Sequence, residues 1–261
     1  MSTTSPALAG PPGDCCFTGV KHTGTPVGTA TTIAGVPTYV SNAKGHAAGA
    51  QKKVIMFFAD VFGPFHNNNK LIQDYFAEHG YTVLGCDYFF GDPVYIHTEK
   101  DFDRPAWMAE KKRLAADAVP KWIQAVRQSH GVDTKYCAVG YCFGGPFTLN
   151  LATTDTIVAA AFAHPAFLNE DHFTQIARPL FMSCAEVDHT FPLENRRRAE
   201  DLLISVKANY HIQVFSGVAH GFAVRGDPAI EQERWAKEES ARGIIGWFDR
   251  FTSPREGKSA L

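Results

Sequence analysis

Short apolar runs of strand length recur along this chain, most of them followed by a stretch with helical spacing. Lys53–Ala59, Tyr81–Cys86, Lys135–Tyr141, Ile157–Ala163, Pro179–Cys184 and Tyr210–Phe215 read as strands. Lys70–His79, Trp107–His130, Phe143–Ala152, Leu193–Lys207 and Ile230–Phe251 read as helices, with Gly80 and Gly131 where C-caps belong and Pro120 expected to kink or divide the second. Lys53–Ala59 is continuously apolar, and strand-like and helix-like segments alternate along the chain. That implies an α/β fold: a mainly parallel central sheet with helices on both faces. A TIM barrel would need eight evenly spaced strand–helix units. The first fifty residues, rich in Gly, Thr, Pro and Ala, offer one short strand near Val36–Val40 and no helix. An open sheet fits better, as one domain over 1–261 with an extended N-terminal segment over 1–35.

A chain of 261 residues can bury a large core without disulfide staples. Its 25 basic and 27 acidic residues leave a net charge of −2, which removes the basic footprint of a nucleic-acid binder. No apolar run has the length of a membrane span. Met1–Asp14 lacks the basic start and apolar core of a signal peptide, and the C-terminal Ser259-Ala260-Leu261 lacks the basic middle residue of a peroxisomal tripeptide. A cytoplasmic protein is expected, with a small molecule as its partner and neither nucleic acid nor membrane. Oligomeric state is left open, a homodimer included.

The six cysteines match no zinc spacing and no disulfide framework, and nothing obliges a metal or organic cofactor. Cys86, Cys137 and Cys184 lie inside strand runs and read as small buried hydrophobes. The adjacent Cys15 and Cys16 read as two thiols in a tethered N-terminal segment. Cys142 differs. It stands in Gly140-Tyr141-Cys142-Phe143-Gly144-Gly145, a G-x-C-x-G between a strand and a helix, the cysteine form of a nucleophile elbow. So sharp a turn forces strained backbone angles on its central residue, and side chains two positions either side would collide. The sulfur would stand at the C-terminal edge of the sheet and the start of a helix, where a thiolate is stabilised and backbone amides can meet an oxyanion.

An elbow nucleophile needs a base and an orienting acid, in the chain order nucleophile, acid, histidine. His220 follows the strand Tyr210–Phe215 in a glycine-flanked loop, and Asp188 follows Pro179–Cys184. Glu186 is the rival acid and His189 the rival base, though a residue adjacent to the acid in a tight loop points elsewhere. His211 lies within a strand and reads as structural.

Three stretches together resemble the dienelactone hydrolase family of the α/β-hydrolase superfamily: Gly140–Gly145, then Val187-Asp188-His189-Thr190-Phe191-Pro192, then His220-Gly221-Phe222-Ala223. The leader Gly13-Asp14-Cys15-Cys16-Phe17-Thr18-Gly19 with His22–Pro26 is similar to that of the eukaryotic, chiefly fungal, branch. The resemblance implies Cys142 as nucleophile, His220 as base and Asp188 as its orienter, with an oxyanion hole from the amides of Val61 and Phe143. Asp60 stands where bacterial members carry a glutamate that holds the resting thiol neutral. Those members bind a lactone carboxylate through two arginines. Here Arg225 is one candidate, and around Tyr88, where the other would fall, there is no basic residue. Tyr88, Phe89, Phe90, Tyr95, Phe102 and Trp107 suggest either a flat aromatic substrate or packing beneath a loop.

The expected function is therefore hydrolysis of a carboxylic ester or enol lactone through a Cys-His-Asp triad and a covalent thioester. Two other readings stay open on the residues alone: a non-catalytic α/β-hydrolase-fold receptor for a small molecule, and a thiol redox protein using Cys142 with Cys15 or Cys16.

Overall fold

In the computed structural model, which describes residues 5–45 and 51–253, the chain is organised around a twisted sheet. The tripeptide at 259–261 lies outside the described residues. The strands are β1 (Ala7–Ala9), β2 (Thr29–Ile33), β3 (Val36–Ser41), β4 (Lys53–Phe58), β5 (Thr82–Cys86), β6 (Lys135–Cys142), β7 (Ala159–Pro165), β8 (Leu168–Asn169), β9 (Leu180–Val187) and β10 (Tyr210–Ala219). The helices are α1 (Asn67–Glu78), α2 (Arg104–His130), α3 (Gly145–Ala152), α4 (Asp171–Thr174), α5 (Leu193–Ser205), α6 (Phe222–Arg225) and α7 (Glu231–Thr252). Eight strands form one sheet in the order β10-β9-β7-β6-β4-β5-β3-β2. The six central and C-terminal strands from β5 to β10 in that order run parallel, and β3 and β2 complete the edge antiparallel.

Successive residues of each strand feed opposite cores. In β4, Val54, Met56 and Phe58 pack with Trp122 and Val126 of α2, Leu149 of α3 and Leu203 of α5. Ile55 and Phe57 pack instead with Phe76 of α1 and with Ile244 and Phe248 of α7. This two-sided burial is why the Lys53–Ala59 run reads as continuously apolar. Pro120 does not divide α2, which continues through it from Arg104 to His130. The helix is entered through Asp103, whose carboxylate accepts from the Ala106 amide, with proline in its first turn.

The N-terminal fifty residues hold more structure than their composition suggests. β2 and β3 form a hairpin on the sheet edge, while β1 pairs antiparallel with β8. The intervening stretch is tied to the loops at the sheet's C-terminal edge. Gly10 N–H donates to Thr190 O at 2.7 Å, Phe167 N–H to Gly10 O at 2.9 Å, and the Asn195 amide to Leu8 O at 2.8 Å. The short turn at 14–17 therefore lies over the edge where β6, β9 and β10 end. Among the described residues no helix is long and apolar enough to cross a membrane.

Candidate active site

Cys142 ends β6 and adopts φ +48°, a left-handed conformation that costs a non-glycine residue energy. The glycines around it are there for space. A Cβ on Gly144 would come within 2.1 Å of Phe58 O, and one on Gly140 within 2.5 Å of Gly144 O. α3 starts three residues after the sulfur-bearing position, at Gly145. Neither the Phe143 amide nor the Val61 amide has a hydrogen-bond partner among the described residues. Val61 belongs to a turn after β4 closed by Gly63 N–H donating to Asp60 O at 2.9 Å.

Asp188 and His220, the expected acid and base, come from adjacent strand ends. β9 stops at Val187, and His220 N–H donates to Val187 O at 3.0 Å, which joins the two loops. His220 Nδ1 lies 2.9 Å from Asp188 Oδ1 and 3.0 Å from Thr190 Oγ1, whose hydroxyl donates to Pro165 O at 2.6 Å. Asp188 Oδ1 also accepts from the amides of Thr190 and Phe191, at 3.0 and 3.1 Å. Although burial opposes ionisation, the bond to His220 and these donors hold the Asp188 carboxyl below the usual carboxylate range. Glu186, the rival acid, is exposed and accepts from Gly217 N–H at 2.7 Å, which fixes the irregular part of β10. His211 is stacked on Phe181 at 5.1 Å between centroids.

The sequence reading missed how close the leader comes to this centre. Cys16 lies in the turn at 14–17, not in a remote tether. The ligating atoms of Cys16, Cys142 and His220 all lie within 4.8 Å of one another. Both thiols have no exposed surface. The leader is fitted to its place: Gly13 N–H donates to His189 Nε2 at 3.0 Å, and a Cβ there would strike the same ring at 2.8 Å. A Cβ on Gly19 would meet the Arg225 side chain at 2.6 Å. His189, set aside as a base, thus anchors the turn that carries Cys16, with 3.9 Å between Nε2 and Sγ. No local signal in the sequence could have shown this, because β6 and the leader meet only through the tertiary fold.

The two thiols and the imidazole share their protons. Hydrogen bonding from Cys142, aided by His220 and Arg225 and opposed by burial, lowers Cys16 to about 4. Burial, together with donation to Cys16, pushes Cys142 well above the ordinary thiol value. Burial alone would lower His220, but its bond to Asp188 and the Cys16 sulfur beside it raise it to about 9. These shifts favour a thiolate on Cys16 rather than on Cys142, beside a protonated His220. His164, buried in edge-to-face contact with His220 at 5.0 Å, is driven well below the ordinary histidine value by burial and stays neutral.

Asp60 and Arg225, candidates for substrate contact, form a buried ion pair with each other. Asp60 Oδ1 also accepts from Phe62 N–H and Asn69 Nδ2, at 3.2 and 2.9 Å. Arg225 Nη2 has no hydrogen-bond partner among the described residues, and its guanidinium lies over the Phe62 ring. Tyr88 is fully buried; its hydroxyl donates to Ala59 O, and its ring packs against Phe89, Phe143 and Phe147. Phe89 stacks on Trp107 and Phe102 on His97. For these residues packing beneath the loop is what the structure brings about. Phe90 and Tyr95 remain exposed beside a cleft of about 270 Å³ lined with Phe62, Phe65 and Pro93.

Cys16, Cys142 and His220 make up a two-sulfur, one-nitrogen donor set of a kind zinc accepts, and Asp188, His189 and His220 make a second group of three. Either set would take a member of the elbow–base pair out of service.

Comparison with known proteins accords with this arrangement. The family model described as Dienelactone hydrolase family matches residues 37–252. The chain is 36% identical over 252 residues to Dienlactone hydrolase 1 of Gibberella moniliformis, covering 94% of this chain and 95% of that one. It is 34% identical to Hydrolase pyvD of Aspergillus violaceofuscus, with coverage of 92% and 97%. Among solved structures, a dienelactone hydrolase-like promiscuous phosphotriesterase, P91, from metagenomic libraries superimposes with a TM-score of 0.64. That match is 18% identical over 87% of this chain and 98% of that one, which speaks for the fold alone. With the family model spanning most of the chain and the sheet order described above, the protein belongs to the dienelactone hydrolase family, hydrolases of the α/β-hydrolase fold.

Proposed function

We propose that this protein hydrolyses a carboxylic ester or enol lactone by covalent catalysis on Cys142. The observation that carries the reading is the elbow itself. A cysteine held at positive φ at the sheet edge is costly to maintain, and an Asp188–His220 pair stands beside it. In the resting site the Cys142 proton is shared toward Cys16. Before attack His220 returns a proton to the Cys16 thiolate; the neutral imidazole then takes the Cys142 proton, and the sulfur lone pair forms the C–S bond while the carbonyl π pair moves onto oxygen. The Val61 and Phe143 amides are free to receive that oxyanion, each such donor being worth about 3 kcal/mol. Collapse breaks the C–O bond, and the leaving alkoxide or enolate takes the proton from His220. Water then gives its proton to His220 as it attacks the thioester, and Cys142 departs as thiolate. Asp188, with Thr190, keeps the Nδ1 side of the ring engaged throughout, so that Nε2 serves the reacting atoms.

Arg225 gives the site one cation, with Nη2 free among the described residues, so a substrate carrying a carboxylate is favoured. Asp60 competes for that cation, and binding of such a substrate exchanges one carboxylate partner for another. The opening nearest the imidazole is a cleft of about 100 Å³ lined by Thr18, Gly19, His220, Gly221 and Arg225. That volume admits small molecules only, so a lactone enters by displacing the Thr18–Gly19 segment. Hydrolysis of p-nitrophenyl acetate tests the reading. Cys142→Ala should abolish turnover with the fold intact by circular dichroism, and full activity in that variant would end it.

A further inference from the structure

We propose that Cys16 and Cys142 form a dithiol that hydroperoxides oxidise to a disulfide, taking the sulfur of the elbow out of action until it is reduced. The regulatory consequence rests on Cys142 being the nucleophile, whereas the disulfide itself does not. Three observations meet here. The two sulfurs, with His220, lie within 4.8 Å of one another, against about 2 Å in an S–S bond, so side-chain rotation and a small shift of the 14–17 turn suffice. The turn is held by its own contacts: Cys16 N–H donates to Gly13 O at 2.9 Å, Gly13 is seated on His189, and the Phe17 ring lies beneath the Arg104 guanidinium at 4.5 Å. Cys16 is thus a fixed neighbour of the elbow. Finally, the cleft of about 100 Å³ beside His220 has room for a peroxide molecule, a water occupying about 30 Å³ in the liquid.

The chemistry closes with the groups present and a hydroperoxide as oxidant. The shared thiolate, on Cys16, attacks one peroxide oxygen. The O–O bond breaks, the leaving oxygen takes a proton from the His220 imidazolium and departs as water, and Cys16 becomes a sulfenic acid. Cys142 then passes its proton to His220 and attacks the Cys16 sulfur. The S–O bond breaks, and hydroxide leaves as water with that proton. Two thiols lose two electrons and two protons, and one peroxide becomes two waters. The strand cysteines Cys86, Cys137 and Cys184 belong to no such cluster of three among the described residues, and burial raises all three thiols, so the reaction is confined to the sheet edge.

The test uses the full chain carrying Cys15→Ser, so that Cys16 is the only leader thiol. After near-stoichiometric hydrogen peroxide and alkylation of remaining thiols, digestion and mass spectrometry should give a Cys16–Cys142 cross-linked peptide. Dithiothreitol should remove it and restore ester hydrolysis in parallel. In Cys16→Ser the same treatment should drive Cys142 to sulfinic acid, with recovery by dithiothreitol lower by about tenfold. Cys142 found unlinked, as free thiol or sulfinic acid, at peroxide doses that oxidise the chain would overturn the proposal. The cross-link is read by mass, so a protein inactive toward esters can still form it. A missing disulfide in an active enzyme defeats only this inference.

Discussion

The interior of the sheet and its C-terminal edge both bury cysteines, and they treat them in opposite ways. Cys86, Cys137 and Cys184 lie in strands with at most 2% of their surface exposed, and burial raises all three thiols, Cys184 to about 12. Cys16 and Cys142 are equally inaccessible, yet Cys16 is lowered to about 4 while Cys142 is raised. Burial penalises charge in both regions; what differs is the company. At the edge, strands end, loops from β6, β9 and β10 converge, and an imidazole, a guanidinium and a second thiol meet the sulfur. Within the sheet the cysteines pack into apolar cores, and the charges that act on them, such as Lys53 on Cys137 and Arg196 on Cys184, do not offset burial.

The largest effect that would break this contrast is removal of the imidazole. His220→Ala should lower ester turnover by about 10³-fold or more and erase the thiolate ultraviolet absorbance at neutral pH. Retention of that absorbance would mean that Cys142 and Arg225 sustain the charge without the imidazole. Next comes the pH titration itself. A thiol lowered in the folded state contributes stability that is greatest above the ordinary thiol range, shrinks as pH falls, and is gone below the folded value. The absorbance should therefore persist down to about pH 4, while the strand cysteines stay protonated through neutral pH. In Cys16→Ser the loss of signal should move upward in pH, because the shared proton has no second sulfur.

Backbone space at the elbow gives a smaller effect. Gly144→Ala should cost about 3 kcal/mol by denaturant unfolding, since its Cβ meets the Phe58 carbonyl rather than a side chain that can move. The smallest belongs to the interior. Cys137→Ala should cost about 1 kcal/mol in the same assay and leave turnover within about twofold, as expected of a thiol that only packs. A large activity loss there would collapse the distinction between the two regions.

These regions also differ in how much of them a sequence carries. Cys142 ends β6, Asp188 and His220 each directly follow a strand, and all three are marked by glycines or by order along the chain, so the sequence points to them. The alternation of short apolar runs with helical stretches likewise gives away a parallel sheet covered on both faces. Cys16 enters such reading only as one of two leader thiols that a redox protein would use with Cys142, because its closeness to Cys142 is set by β1 pairing with β8 and by Gly13 resting on His189. The Asp60–Arg225 pair is hidden for the same reason, as is the role of Thr190 beneath the His220 ring. Tyr88 and its aromatic neighbours show the opposite limit: their composition suggests a substrate surface, and the side chains pack on one another.

The central claim, that the elbow sulfur carries the acyl group, has a direct readout. The protein is mixed with p-nitrophenyl acetate, quenched in acid within the first turnovers, digested and weighed peptide by peptide. The account predicts an acetyl group on the Cys142 peptide, released by hydroxylamine and absent from the peptides of Cys86, Cys137 and Cys184. Turnover with no acyl group on Cys142, or an acyl group carried by Cys16 instead, would contradict it.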